Sequence, residues 1–417
     1  MSFQQGLSGL NASSKNLEVI GNNIANANTY GTKVARAEFS DMYANAISGA
    51  GTNNIGIGTR LANVAQQFTQ GNISTTENPM DLAIKGNGFF QLSDGQSPTV
   101  YSRNGQFKVD REGFIVNNNA LKLMGYAADS LGVIQPGQAV PLQLPTAGVD
   151  PAVTTSVTLE MNLDSRKAIT APAAAPLIDF NDATTYNNAT SLTVYDAKGQ
   201  EVPVTYYFQK SAVDTWNVFA TANGSTIGGT DADPQPVTTI TFAPDGSAPT
   251  APVGTVPLTI LLPNNAAPAD TLNFELDLNT ATQFGSPFGV TDQRQDGFAA
   301  GDLTSIMVES NGIVMARYSN GQSRPAGQVE LAAFRNTQGL QPLGDNAWAR
   351  TYSSGDPITG APDNAGQGVL QSGALEESNI DLTGELVNMI TAQRIYQANA
   401  QTIKTQDQVL QTLVNLR

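Results

Sequence analysis

The chain has 417 residues, a formal net charge of −15, no cysteine and no histidine. An acidic surface does not suit nucleic acid or an anionic membrane as a partner. Without cysteine or histidine, the chain lacks disulfides, thiol nucleophiles, imidazole acid–base groups and the usual zinc ligands.

The N-terminal stretch, residues 1–28, predicts an amphipathic helix. Its stripe recurs at alternating intervals of four and three residues. The stripe consists of Phe3, Leu7, Leu10, Ser14, Leu17, Gly21 and Ile24. The opposite face carries Ser, Asn, Gln and Ala, and the only charges before Lys33 are Lys15 and Glu18. A solvated helix normally carries charge on that face, so this helix is suited to being surrounded by other helices.

The end of this helix allows two interpretations. Five of the eight residues 21–28 are glycine or asparagine. Asparagine side chains compete for backbone hydrogen bonds, which favours a fraying helix end. Buried amides would instead fix the register between packed subunits, as a buried asparagine does in coiled coils.

Residues 29–75 then form an irregular connecting segment. Phe39, Met42 and Tyr43 fit one apolar helical turn in it, and we expect the segment to be ordered against a neighbour.

Two strand-rich segments, residues 76–145 and 285–362, predict one discontinuous β-domain. In both, short alternating strands are separated by two-residue turn signals. These signals are Asn87-Gly88, Asn104-Gly105 and Glu112-Gly113 in the first half, and Asn311-Gly312 and Asn320-Gly321 in the second. The 39 glycines, 22 prolines and only 14% charged residues agree with a fold rich in strands and loops.

Residues 146–284, between these halves, predict a second β-domain inserted into the first. They hold 12 of the 22 prolines, and 14 acidic residues against 4 basic ones, so two thirds of the net charge lies here. Predicted strands cover Ser191–Tyr195, Val202–Phe208 and Thr215–Ala220. The acidity is typical of a solvated face that also resists edge-to-edge aggregation, so we expect this domain to be the outermost layer.

The C-terminal stretch, residues 378–417, predicts a helix about 50 Å long, far longer than the usual helix of a globular protein. Residues 363–377 connect it to the β-domain. Either Ser378, in a capping box, or Asp381 satisfies the orphan backbone N–H groups at its start. A heptad stripe with two polar interruptions consists of Leu386, Met389, Tyr396, Ala400, Ile403, Leu410 and Val414.

The two terminal helices together predict a coiled coil, which gives a mainly β fold with terminal α-helices and two nested β-domains. The stripes either pair only with each other and close a monomer, or also pack against other copies. An open head-to-tail repeat of such contacts gives a helical filament. The placement at both extreme termini favours packing against other copies, because a lone helix pair there would have little else to pack on.

The sequence predicts no catalytic or cofactor site. It contains no GxxxxGK[ST] loop and no GxGxxG loop between a strand and a helix. Asp231 and Asp233 form an isolated pair without the spacing of a calcium loop, and no carboxylate pair stands out for glycoside hydrolysis. No apolar run reaches membrane-spanning length and no secretory signal pattern is present. These features by themselves would indicate a cytoplasmic protein.

Both terminal stretches resemble the signature segments of the bacterial flagellar rod and hook axial proteins. The segments are SGLNASSKNLEVIGNNIANANTYGTK (Ser8–Lys33) and GALEESNIDLTGELVNMITAQRIYQANAQTIKTQDQVLQTLVNLR (Gly373–Arg417). Mid-chain segments are similar to those of hook proteins in particular, namely Met80–Leu92, Tyr101–Asp110, Thr193–Phe208 and Gly301–Gln322. The terminal motifs are long and specific, and the resemblance covers nearly the whole chain.

This resemblance implies a subunit of the hook, a curved tube that acts as a universal joint and transmits torque from the rod to the filament. It implies further copies of the chain as the main partner, with a rod protein and a hook–filament junction protein at the two ends. It also implies a hook cap and the type III export apparatus during assembly, and no cofactor. The implied location is the extracellular hook, reached without a cleaved signal peptide, in place of the cytoplasm.

We expect the inner assembly contacts on the terminal helices, at Phe3, Leu7, Leu10, Leu17, Ile24, Leu386, Met389, Tyr396, Ile403, Leu410 and Val414. The close alternative is a distal rod subunit, which resembles the hook at both termini. A secreted adhesin or surface-layer protein is a more distant alternative, because it would explain the acidic β-rich middle but not the paired terminal stripes.

Overall fold

Helices lie near both ends of the chain, and β-strands lie between them. The computed structural model describes residues 2–43, 56–129, 132–145, 147–262, 271–364 and 366–415. Within these residues the two α-helices contact each other, which confirms the expected mainly β fold with paired terminal helices.

The elements are numbered in chain order. Those of the first third are α1 (Ser2–Ala25), β1 (Ala35–Tyr43), β2 (Gly56–Gln66), β3 (Ile73–Thr75), β4 (Leu82–Lys85), β5 (Phe89–Ser93), β6 (Val100–Ser102), β7 (Lys108–Val109), β8 (Ile115–Val116), β9 (Lys122–Ala127) and β10 (Val140–Pro141). Those of the middle are β11 (Ser156–Asn162), β12 (Asn188–Tyr195), β13 (Glu201–Ala212), β14 (Thr215–Ala222), β15 (Ser225–Thr226), β16 (Gly229–Thr230), β17 (Asp233–Pro234), β18 (Thr238–Phe242), β19 (Pro249–Ala251), β20 (Val256–Leu261), β21 (Thr271–Asp277) and β22 (Gly289–Gln295).

The last part of the chain returns to short strands and ends in the long helix. Its elements are β23 (Leu303–Val308), β24 (Ile313–Tyr318), β25 (Ser323–Val329), β26 (Leu331–Ala333), a 3-10 turn (Thr337–Gly339), β27 (Gln341–Gly344), β28 (Ala347–Ala349), β29 (Ile358–Gly360), β30 (Val369–Ser372), β31 (Ala374–Glu376) and α2 (Leu382–Asn415).

The first of two contact units combines segments that are distant in the sequence. It comprises Met1–Thr146, Thr304–Arg317 and Ser323–Arg417. Its main sheet runs β23-β24-β25-β9-β5-β6-β28-β27, so three strands from the first half of the chain lie between strands from the second half. Leu82, Phe90, Leu123 and Leu331 are fully buried in its main apolar cluster. Beside this cluster, Phe89, Tyr101, Phe334 and Trp348 form a smaller aromatic one.

The second contact unit comprises Ala147–Leu303 and Tyr318–Gln322. It contains a sheet ordered β20-β21-β11-β22 and another ordered β12-β13-β14-β18-β19. Side chains from both sheets share one core, for example Leu159, Tyr206 and Trp216, so the unit is a β-sandwich. Because β22 pairs antiparallel with β11, this unit extends beyond residue 284, where the inserted domain was expected to end.

The expected helical turn at Phe39, Met42 and Tyr43 is wrong, because these residues belong to β1. This strand pairs antiparallel with β2, and Phe39 lies opposite Leu61. A ladder to a distant strand satisfies the backbone groups of the whole segment. That gain outweighs the helical spacing of three apolar residues, which is a weak local signal.

Helix α2 begins at the second of the two candidate caps. The Thr383 backbone N–H donates to Asp381 Oδ1 over 3.0 Å, and the Glu385 backbone N–H donates to the Asp381 carbonyl over 2.9 Å. Asp381 is therefore the N-cap. The Ser378 hydroxyl oxygen instead accepts from the Ile380 backbone N–H, one residue before Asp381.

A buried carboxylate joins the helical pair to the β-structure of the first unit. Glu376, at the end of β31, accepts from Lys33 Nζ over 2.6 Å and from Arg103 Nη1 over 3.1 Å. Lys33 lies between α1 and β1, whereas Arg103 follows β6. All three side chains are at most 6% exposed. Burial lowers the pKa of the Lys33 ammonium and of the Arg103 guanidinium, and the carboxylate opposes this shift.

We expect Glu376→Gln to destabilise the first unit by about 3–5 kcal/mol, because it leaves two buried cations without their counter-ion. Urea unfolding of the two variants, followed by circular dichroism, measures the difference. Glu38→Gln is the matched control, since it removes an exposed partner of Arg36, and such a pair contributes at most about 1 kcal/mol. Equal losses in both variants would contradict a special role for Glu376.

Candidate assembly surface on the terminal helices

Along the first half of α1, the seam between α1 and α2 is built from small residues of α1. A Cβ atom added to Gly6 would lie 3.0 Å from Ile403 Cγ1, and one added to Gly9 would lie 2.8 Å from Asn399 Nδ2. Ser13, one heptad after Gly6, is buried, and its hydroxyl donates to the Gly9 carbonyl over 2.8 Å. The helices therefore approach each other closely where glycine leaves room.

The seam has a polar anchor at its β-domain end. Asn23 is 3% exposed, and its side-chain amide donates to Glu385 Oε2 over 3.1 Å and to the Ala35 carbonyl over 2.8 Å. The Ala35 backbone N–H donates in return to Asn23 Oδ1 over 3.0 Å. Buried amides in residues 21–28 thus fix α1 against α2 and β1 of the same chain; their role between subunits stays a prediction.

The predicted stripe on α1 lies beside this seam. Gly6, Ser13 and Ile20 face the seam as buried residues, and each precedes a stripe residue by one position. One position rotates the side chain by about 100° around the helix. Leu10, Leu17 and Ile24 are accordingly half-buried, whereas Phe3 and Leu7 are each 45% exposed.

The stripe on α2 is divided in the same way. Met389 and Ile403 are half-buried, whereas Leu386, Tyr396 and Leu410 are exposed. The side chain of Val414 lies outside the described part of the structure. Ala392 is buried in the seam. Asn399 and Gln406, which follow it at intervals of seven residues, are half-buried. Hydrophobic periodicity misses this row, together with Gly6 and Gly9, because small and polar residues carry no apolar signal; only their seven-residue spacing would have indicated it.

Further apolar side chains on α2 are also exposed. They are Leu382, Val387, Ile390, Ile395 and Val409, with exposed fractions of 44–58%. The β1–β2 hairpin, against which α1 packs through hydrogen bonds from Gln5 and Ser8 to β2, adds Phe39, Met42, Leu61 and Val64. Exposed apolar surface on this scale marks a site of protein–protein contact. The helical pair is thus closed on its seam and open on its outer faces.

Metal sites and membrane spans are both absent from the residues that the structure describes. No group of three or more acidic side chains there is arranged to hold a metal ion. Neither described helix is long and apolar enough to cross a membrane.

Four family models match successive segments of the chain. They are the flagella basal body rod protein at residues 3–33, the flagellar hook protein FlgE/F/G D1 domain at 83–197, the flagellar basal body protein FlaE D2 domain at 162–298, and the flagellar basal body rod FlgEFG protein C-terminal at 371–416. The flagellar hook protein FlgE of Salmonella typhimurium is 41% identical over the full length of both chains, and that of Escherichia coli is 40% identical, again over the full length of both. The chain belongs to the flagellar hook protein family.

These relatives support a hook subunit, and they do not favour the alternative of a distal rod subunit. The crystal structure of Helicobacter pylori flagellar hook protein FlgE2 has a similar fold, with a TM-score of 0.54 at 16% identity. The match covers 73% of this chain and all of that one.

Because Gly9 lies close to Asn399, we predict that cysteines placed at these two positions form a disulfide within one chain. Because the chain contains no cysteine, the double variant Gly9→Cys/Asn399→Cys has no competing thiols. We expect oxidation of the assembled protein to give a monomer band that migrates faster without reductant, since the Gly9 Cβ position lies 3.0 Å from Asn399 Cγ.

The control is Gly21→Cys/Asn399→Cys, because no atom lies within 4 Å of a Cβ on Gly21. It should remain a normal monomer band. A ladder of dimers and higher species from the Gly9/Asn399 pair would contradict the assignment, because it would place this seam between copies.

Proposed function

We infer that the chain is a structural subunit of the bacterial flagellar hook and that it self-assembles into a polymer. The observation that carries this function is the 41% identity to a hook protein over the full length of both chains. The family is a structural one, and no catalytic role is proposed. The geometry adds a physical route to assembly through the outer faces of the terminal helices.

The proposed assembly contacts are the exposed apolar side chains that the intramolecular seam leaves uncovered. Full burial of an exposed leucine or phenylalanine contributes about 1.5–3 kcal/mol, and these side chains, about half exposed in one chain, gain roughly half of that when another copy buries them. Phe3, Leu7, Leu386, Tyr396 and Leu410 are the members of the predicted stripe that depend most on a second copy, while Leu10, Leu17, Ile24, Met389 and Ile403 contribute to both kinds of contact. Contacts that repeat head to tail without closing a ring produce a helical tube.

Several finer features extend this proposal. The polymer would be a curved tube that transmits torque from rod to filament and bends as its domains shift about the hinges between them. A rod protein and a hook–filament junction protein would bind its two ends, and a hook cap and the export apparatus would act during assembly. The subunit would reach the flagellum without a cleaved signal peptide.

We expect Leu7→Ser to raise the critical concentration for polymerisation several-fold, because a leucine that is 45% exposed gains roughly half of the ~1.5–3 kcal/mol of full burial, and about 1.4 kcal/mol represents a tenfold change. The thermal unfolding of the β-units in the monomer should change little, since Leu7 lies on α1 and belongs to none of their apolar clusters. Sedimentation of polymer at a series of subunit concentrations measures the effect. Val213→Ser is the control, because Val213 is 77% exposed in the second unit. Equal effects of both substitutions would contradict the helical stripe as the main drive.

Removal of residues 2–28 distinguishes this function from that of an adhesin. A hook subunit without α1 should fail to form polymer and fail to restore motility to a strain that lacks its hook protein. An adhesin without these residues should still bind its target through its β-domains.

Assembly through these helices should depend only weakly on salt. Charges are scarce on α1, where Lys15 and Glu18 form an ion pair with each other, and apolar contacts are not screened by salt. Turbidity or sedimentation at low and at high salt measures the dependence. A steep change in polymer yield would count against the apolar stripes.

A further inference from the structure

A short loop between β28 and β29 holds one tyrosine entirely in solvent. Tyr352 is 102% exposed, so no part of its ring stabilises the fold of its own chain. A single exposed apolar side chain on a surface is ordinary. The loop beneath Tyr352 is held by several hydrogen bonds and an ion pair.

The hydroxyls of Thr351 and Ser354 brace the loop from both sides of the tyrosine. The backbone N–H groups of Ser353 and Ser354 donate to Thr351 Oγ1 over 3.1 and 3.3 Å. Ser354, which is 1% exposed, donates from its hydroxyl to the Thr351 carbonyl over 2.8 Å and accepts from the Thr351 backbone N–H over 2.9 Å. An ion pair of 2.6 Å between Arg350 and Asp356 closes the loop.

The loop is also fixed to the body of the first unit. The Thr351 hydroxyl donates to the Gly339 carbonyl, and Asn336 Nδ2 donates to the Ser353 carbonyl over 2.9 Å. Gly339 packs directly on the loop, because a Cβ atom there would lie 2.5 Å from the Ser354 nitrogen. The stem of the loop follows Trp348, which is buried in the aromatic cluster.

The loop is connected to the element that carries the assembly surface. Trp348 Nε1 donates to Gln66 Oε1 over 2.6 Å, and Gln338 Nε2 donates to the Gln66 carbonyl, also over 2.6 Å. Gln66 is the last residue of β2, the strand on which α1 packs. The loop that carries Tyr352 is thus connected through hydrogen bonds to the strand on which α1 packs.

We propose that Tyr352 is an anchor between subunits, which a neighbouring copy of the chain covers in the polymer. Tyrosine is enriched among the residues that dominate binding energy, and a pre-organised loop loses little entropy on binding. A second copy is the occupant because the loop is continuous, through Gln66 and β2, with the surface proposed above to contact other copies. This proposal rests on the self-assembly proposed above. If Tyr352 is not buried between copies, that self-assembly still stands.

The absence of cysteine from the chain allows a direct test. Tyr352→Cys carries a single thiol, whose rate of reaction with a maleimide is measured in monomer and in polymer. Val253→Cys, at a position 93% exposed in the second unit, is the control. We expect the thiol at 352 to react at least about tenfold more slowly in polymer than in monomer, as full burial requires, and the thiol at 253 to be slowed much less.

Equal reaction rates of the thiol at 352 in monomer and polymer would overturn the proposed anchor. Equal slowing of the thiols at 352 and 253 would also overturn it, because it would show that the polymer shields both positions in general. If Tyr352→Cys does not polymerise, Tyr352→Phe and Tyr352→Ser decide the question. The anchor requires that phenylalanine supports polymerisation and that serine does not, with monomer unfolding unchanged in both. Failure of the unsubstituted chain to polymerise would contradict the proposed function itself.

Discussion

The fold of the first unit depends on one buried carboxylate. Glu376 binds Lys33, which follows α1, and Arg103, which lies in the β-structure, while its own strand leads into α2. Its Oε1 also accepts from the Gly71 backbone N–H over 2.9 Å, and its carbonyl accepts from the Gly31 backbone N–H over the same distance. The segment that follows α1 and the strand that leads into α2 are therefore both tied to the β-structure at this residue. Without it, two buried cations would repel each other at the point where the two ends of the chain come together.

Given that junction, the two faces of the helical pair have different roles. Gly6 and Gly9 allow α1 to pack closely on α2, so the intramolecular seam consumes little apolar surface. Leu7 and Leu410 remain exposed. A conventional leucine seam between α1 and α2 would have hidden the side chains that the polymer needs. The chain thus pairs the first half of α1 with α2 through small residues and keeps its larger exposed apolar side chains for contacts between copies.

The sequence predicted the parts of this arrangement that have a local signal. Heptad periodicity located both helices, Asp381 was one of two candidate caps, and the turn signals outlined strands in the two segments that flank the inserted domain. The seam could not be predicted, because Gly6 and Asn399 have no hydrophobic signature. The Lys33–Glu376 pair joins residues 343 positions apart, and β1 takes its conformation from pairing with β2 rather than from its own residues. Each of these features depends on contacts that are distant in the sequence.

The most direct test of this account is hydrogen exchange, compared between dilute monomer and assembled polymer. The helices bury little apolar surface in one chain, so their hydrogen bonds should open readily in the monomer. The account predicts that residues 2–25 and 382–415 exchange much faster than the cores of the two β-units in the monomer and become protected in the polymer. Full protection of these helices in a dilute monomer, with no change on assembly, would contradict the claim that neighbouring copies complete their packing.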